Sequence, residues 1–270
     1  MGKREAFAAV AIPLLVAAIW WLPAIAFLGL LSVAVALAAD ELLAMARGAG
    51  IPVGRWVPLI MLVAVLAGSW TWGPTGSAVM AIVAIIVLPT TQLGHPRAPE
   101  GGFAASAAAV FTVLYCGLCG ACLGWLRILP ESDLGIGLLF FFLGSIWVGD
   151  SGAYYVGSKF GRHKMTPRIS PNKTWEGLAG GAAATFAAAA VSKLVFGLPW
   201  SWGHMAALAA ILAVAAPLGD LVESQFKRDT KVKDSSTLIP GHGGFLDRTD
   251  SLLYAAPPVL GYLLAAGLIG

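Results

Sequence analysis

Charge is what this chain has least of. Only 11% of its 270 residues are Asp, Glu, Lys or Arg, while 58% are hydrophobic; a soluble domain carries about 25% charged residues. There is too little polar side chain to cover a water-soluble fold of this length, so that class is excluded. A disordered chain and a collagen are excluded by the same composition. Cysteine is scarce as well: Cys116, Cys119 and Cys122 are the whole complement, which rules out a disulfide scaffold. They are spaced by three within one apolar stretch and have no polar companion. That pattern reads as small buried hydrophobes, without the partners a metal site needs.

Long apolar runs are what the chain has in abundance. At about 20 residues per membrane crossing, hydropathy predicts an all-α polytopic integral membrane protein with about nine transmembrane helices. They fall near residues 6–22, 24–46, 57–70, 77–91, 103–126, 134–157, 175–196, 204–221 and 251–269. With the sides numbered alternately, all but Arg127 and Lys193 of the 17 lysines and arginines fall on the side of the N-terminus. Cationic loops are retained in the cytoplasm, so the expected topology has the N-terminus cytoplasmic and the C-terminus extracytoplasmic in the cell inner (plasma) membrane. Lys3 and Arg4 precede the first run as in a signal peptide, but a second span follows at once, which predicts an uncleaved anchor. Gly120/Gly124 and Gly177/Gly181 have the spacing that lets helix backbones approach.

Residues 1–130 read as N-terminal helices serving as scaffold, lipid entry or dimer contact. Residues 131–270 carry the polar chemistry in two cytoplasmic loops, 157–177 and 221–250. The first, GSKFGRHKMTPRISPNKTWEG, sets Lys159, Arg162, Lys164, Arg168 and Lys173 against Glu176 alone. Such a loop is accounted for in good part by topology and by attraction to anionic headgroups. The second, counted from Asp220, is DLVESQFKRDTKVKDSSTLIPGHGGFLDRTD, and headgroup attraction does not explain it. Its cations interleave with Asp220, Glu223, Asp229, Asp234, Asp247 and Asp250. Carboxylates supply hard oxygens for Mg²⁺, and neighbouring cations take the phosphate oxygens that the ion leaves. Asp150 lies within a span, where an ionisable group is costly. Asp220 closes the eighth span at headgroup level.

The stretch from Ser224 to Asp250 resembles the signature of the phosphatidate cytidylyltransferases, also called CDP-diacylglycerol synthases. Ser224, Phe226, Lys227, Arg228, Lys233, Asp234, Ser236, Ile239, Pro240, His242, Gly243, Gly244, Phe245, Asp247, Arg248 and Asp250 all fit that pattern. The segments DSGAY (150–154) and SPNKTWEG (170–177) are similar to the same family. The resemblance covers roughly the C-terminal half; the first five spans agree in hydropathy only. It implies transfer of a cytidylyl group from CTP to phosphatidic acid, releasing pyrophosphate. It also implies an all-helical, commonly dimeric membrane protein that requires Mg²⁺, with room for a second cation, on carboxylates equivalent to Asp220 and Asp247. No nucleic acid is expected as a partner.

The chemistry fits those residues. The phosphate monoester of phosphatidic acid is mostly ionised near pH 7, its second pKa being about 6, so the nucleophile needs no strong base. Repulsion between two anionic substrates is the obstacle, and positioning with charge neutralisation removes it. Lys227, Arg228, Lys233, Lys173 and Arg248 are expected on phosphate oxygens, with Asn172, Ser224, Gly243 and Gly244 completing the substrate-binding set. His242 is expected to orient a phosphate or a carboxylate. Asp150, Asp234 and Asp250 are further candidates, and the sequence does not separate metal-facing from supporting roles for them. No GxxxxGK[ST] loop is present, so the triphosphate must be held by metal and cations. The rival readings are a CTP-dependent polyprenol or phytol kinase, an ether-lipid cytidylyltransferase and, from another class, a secondary transporter with Asp150 and Lys193 lining a pathway. A transporter predicts paired broken helices in corresponding halves, and no internal repeat is evident.

Overall fold

A computed structural model describes residues 3–94, 99–239, 241 and 243–269, with the backbone alone for 3–8 and 132. His242, Pro240 and Arg97, and the side chains of Lys3 and Arg4, lie outside the described residues. Among its described residues the chain is all-α apart from one small hairpin and an isolated bridge between Ile239 and Gly243. Its elements are α1 (Lys3–Trp21), α2 (Ala24–Gly48), α3 (Trp56–Gln92), α4 (Gly102–Thr112), a π-helical turn (Val113–Leu118), α5 (Cys119–Ile128), α6 (Ser132–Phe160), β1 (Lys164–Thr166), β2 (Ser170–Thr174), α7 (Trp175–Phe196), α8 (Trp202–Asp229) and α9 (Leu246–Ala265). Among the described residues, 6 helices are long and apolar enough to cross a membrane. Exposed Ile25, Ile60, Ile86, Val191 and Leu194 give these helices the apolar outer surface that lipid contact requires.

The chain groups into two compact units. One comprises Met1–Gly124 with Phe226–Thr249, the other Trp125–Gln225 with Asp250–Gly270. Most of the second polar loop, Phe226–Thr249, groups with the N-terminal helices.

In the first unit, α3 is two arms rather than one rod. Gly73 takes φ 63°, ψ −146°, and Pro74 follows it, so the helix cannot continue through that point. Residues eight apart on a straight helix stand about 12 Å from each other, yet Ser77 Oγ donates to Ser69 Oγ at 2.9 Å. The arms therefore fold back on each other, and they coincide with the expected spans 57–70 and 77–91. Close approach elsewhere follows from the glycine spacing. A Cβ on Gly120 would stand 2.9 Å from Val35, and one on Gly124 would meet the Trp70 indole, whose Nε1 donates to the Ala121 carbonyl at 3.2 Å.

In the second unit, α6 and α7 pack through small residues. A Cβ on Gly181 would lie 3.0 Å from both Ala153 Cβ and the Gly149 carbonyl, so the Gly177/Gly181 spacing serves packing. Thr174 caps α7 by accepting from the Gly177 N–H at 3.1 Å. The hairpin β1–β2 was not foreseen in loop 157–177. It pairs Lys164 with Thr174 and Thr166 with Ser170, around a turn closed by the Ile169 N–H on the Thr166 carbonyl at 3.1 Å. Glu176 ties down its base, accepting from the Arg162 N–H at 3.1 Å and lying 2.5 Å from His163 Nδ1.

Candidate active site

Each unit gathers its own set of polar groups. In the second unit, α8 carries Asp220 and Glu223 three residues apart, a spacing that puts both on one helix face. Asp250, in the first turn and a half of α9, completes a group whose three carboxylate oxygens lie within 4.8 Å of one another. Glu223 and Asp250 are buried, at 1% and 7% exposure. Three acids at this separation repel, and hard oxygens so arranged suit a divalent cation. Lys173 Nζ lies 2.8 Å from Asp220 Oδ2 and donates to the Pro217 carbonyl at 3.4 Å. Ser224 Oγ donates to Asp220 Oδ1 at 3.2 Å. Both oxygens of Asp220 are thus oriented from within its own unit.

Gly219 makes this convergence possible. A Cβ there would lie 2.7 Å from Tyr254 Cβ, 2.8 Å from the Asp250 carbonyl and 3.0 Å from Ser251 Cα. Gly219→Ala must push α9 off α8 and carry Asp250 with it. The expected result is a divalent-ion affinity lower by about 10–100-fold, the scale of disturbing the supports of a metal ligand. It is read from the Mg²⁺ concentration giving half-maximal thermal stabilisation.

Most of the signature stretch, Phe226–Thr249, falls in the first unit, and Asp247 organises it. Lys227 Nζ donates to Asp247 Oδ1 at 2.6 Å. Asp247 Oδ2 accepts from the Ser235 N–H at 2.9 Å, Ser235 Oγ at 2.8 Å and the Gly244 N–H at 2.8 Å. Burial pushes this carboxyl up, but the donors from Gly244, Lys227 and Ser235 outweigh it and hold it at about 2. The sequence offered Asp247 beside Asp220 as a metal carboxylate. Within its own unit Asp220 is joined by Glu223 and Asp250, and within the other Asp247 accepts donors on both oxygens. In the sequence Glu223 is one acid among six in the loop, and its spacing of three from Asp220 is the signal that marks it.

Gly243 takes φ 79° and is bridged to Ile239, whose N–H donates to the Gly243 carbonyl at 2.9 Å. Gly244 is buried where a Cβ would collide with the carboxylate of Glu41 and with Ser235 Oγ. Glu41 is the second residue the sequence reading passed over. It reaches this loop from α2, accepting from Ser235 Oγ at 2.7 Å, Ser236 Oγ at 2.6 Å, the Phe245 N–H at 3.0 Å and the Leu246 N–H at 2.8 Å.

The remaining candidates are more open. Arg228, Lys233, Asp234 and Arg248 are exposed, as is Asn172 on β2, and Asp150 is an exposed residue of α6. Lys193, in the last turn of α7, donates to the Leu198 carbonyl at 2.8 Å and also to that of Trp200. It closes the helix end there.

A model of the cytidylyltransferase family matches residues 2–266. The chain is 43% identical over 152 residues to the phosphatidate cytidylyltransferase of Bacillus subtilis, covering 56% of this chain and 55% of that protein. It is 42% identical over 143 residues to the protein of the same name from Pseudomonas aeruginosa, covering 53% of each. For the Staphylococcus epidermidis protein of that name the identity is 34% over 204 residues, 76% of this chain and 70% of the relative. The match to the first two spans about half of their length.

Proposed function

The chain belongs to the cytidylyltransferase family, and from that premise we propose that it transfers the cytidylyl group of CTP to phosphatidic acid, giving CDP-diacylglycerol and pyrophosphate at a membrane face. The observation that carries this reading is the carboxylate cluster Asp220, Glu223 and Asp250, found in a chain whose relatives are named for that reaction.

The donor set fits a divalent cation, since all three groups offer hard, anionic oxygens. Asp220, Glu223 and Asp250 would hold it, and there it would neutralise phosphate charge and act as a Lewis acid on the reacting phosphoryl group. Lys173 and Ser224 keep the Asp220 carboxylate turned and its oxygens fixed, so no reorganisation is needed when substrate arrives. Arg228, Lys233 and Arg248 are assigned to phosphate oxygens, where a guanidinium offers a bidentate fork and an ammonium a point charge. Lys227, whose charge is committed to Asp247, shapes the loop that carries them. The lipid phosphate attacks the α-phosphorus as an ionised oxygen, the new P–O bond forms, and the bond to pyrophosphate breaks. No proton has to leave the nucleophile, so the residues supply position and charge rather than a base.

The excess of Lys and Arg on one side of the membrane supports an inner-membrane protein whose active site faces the cytoplasm, and the family resemblance supports a homodimer. Two observations weigh against a transport pathway. Lys193 is occupied at a helix end, and the polar clusters gather at the ends of helices rather than at their midpoints.

The test uses purified protein in lipid with Mg²⁺, phosphatidic acid and CTP labelled at the α- or the γ-phosphate. The α-label should enter the lipid with one pyrophosphate released per turnover. Lipid labelled from the γ-position would overturn the proposal in favour of a lipid kinase.

A further inference from the structure

We infer that Glu41, a residue of the N-terminal helix α2, is a positioning residue for the signature loop, setting the backbone that presents Asp247 and Arg248; the inference rests on the function proposed above.

The sequence around the start of α9 explains why such a residue is needed. The first N–H groups of a helix have no partner within it, and a Ser, Thr, Asp or Asn just ahead of the first turn ordinarily accepts from them. Phe245 stands there instead, and its side chain accepts nothing. Glu41 takes over the task from about 200 positions away in the chain. Its two oxygens receive the Phe245 and Leu246 N–H groups at 3.0 Å and 2.8 Å, and a carboxylate at a helix N-terminus is further favoured by the helix dipole.

The same carboxylate also reaches Asp247. Ser235 Oγ lies 2.7 Å from Glu41 Oε2 and 2.8 Å from Asp247 Oδ2. A hydroxyl has a single hydrogen, so the two carboxylates share it. Moving Glu41 therefore redistributes the donors around Asp247. Ser236 Oγ adds a fourth donor at 2.6 Å, and Glu41 is only 7% exposed, so water does not substitute for these bonds. The lack of a side chain at Gly244 fits the same arrangement, because a Cβ there would occupy the place of the Glu41 carboxylate. Asp40, one residue earlier, turns away to Arg55, whose Nε and Nη2 donate to it at 2.8 Å and 2.7 Å. Of the two adjacent acids, Glu41 alone faces the loop.

Glu41→Gln keeps the size of the side chain and replaces an accepting oxygen by a donating amide. Hydrogen exchange of peptides covering 235–246, read without substrate, should become faster in this variant than in the wild-type protein. Per folded molecule, kcat should fall by about 100-fold, the scale of a 1 Å misplacement of a reacting group, with KM for CTP little changed. Ser235→Ala, a milder change that leaves the α9 cap in place, should give a smaller kcat loss. The double variant should be no worse than Glu41→Gln alone, because both act through one network. Unchanged exchange, wild-type kcat with a lowered melting temperature, or multiplicative losses in the double variant would each overturn the inference. A wild-type protein that makes no CDP-lipid would sink the proposed function while leaving the exchange measurement to judge Glu41.

Discussion

Glu223→Gln is expected to lower cytidylyl transfer by about 10²–10³-fold, the scale of removing one preorganised electrostatic group, without unfolding the protein. Glu223 is 1% exposed and shares a 4.8 Å cluster with Asp220 and Asp250. Without a cation, like charges at that range repel, so removing one should leave the melting temperature in chelator unchanged or raised. The wild-type protein should gain stability on adding Mg²⁺, because whatever binds only the native state shifts unfolding by mass action. The variant should lose most of that gain. Thermal melts with and without Mg²⁺, alongside the transfer assay, check both statements. A variant with normal turnover and a normal Mg²⁺ shift would show that Glu223 is not a metal ligand.

Asp247→Asn should behave in the opposite way, losing stability together with activity. Asp247 accepts from four donors, and its side chain and that of Lys227 are 6% and 12% exposed. An asparagine presents a donor where a donor already points, and it removes the carboxylate to which Lys227 Nζ donates at 2.6 Å. Breaking a buried pair from one side costs about 3–5 kcal/mol. The sign with pH follows from the carboxyl held at about 2. A group whose folded pKa is depressed stabilises fully above its unfolded value, about 4, and loses that contribution as pH falls through the folded value. The gap in stability between wild-type and variant should therefore be constant from neutral pH down to about 4 and shrink from there toward pH 2. Denaturation in detergent across that range measures it. A gap that closes at higher pH, or an Asp247→Asn protein as stable as wild-type, would contradict the role given to Asp247. Set beside Glu223→Gln, the pair separates the ion-binding role proposed for Glu223 from the loop-holding role given to Asp247.

The contrast between these acids shows how far the one-dimensional reading reached. Asp220 and Glu223 lie three apart on α8, a spacing that signals a shared face. Hydropathy, however, ends the eighth span at 221 and leaves Glu223 in the loop, whereas the helix runs on to Asp229. Asp247 and Asp250 are also three apart on a helix, yet they serve different groups. Nothing in the spacing distinguishes them, because that depends on which neighbour packs against each side of α9. Gly219 decides it for Asp250 by admitting α9 against α8, and Lys227, Ser235 and Gly244 decide it for Asp247. Glu41 was hidden for a related reason. An acid near the end of a span, beside Asp40 and close to Arg47, has the look of an ordinary charged helix end, and its loop partners lie about 200 residues downstream.

From composition and pattern alone came the membrane class, the all-α architecture, the approximate helix positions, the two polar loops and the family signature. These depend on local or averaged quantities: apolar length against bilayer thickness, the sign of charge between spans, and motif chemistry at fixed short spacings. Folding in three dimensions decided which carboxylates meet, that α3 doubles back at Gly73, that a hairpin sits in loop 157–177, and that the N-terminal helices supply Glu41 to the signature loop. Such contacts join residues far apart in the chain, and no local propensity encodes them; they arise only where close packing leaves each buried polar group one set of partners to satisfy it.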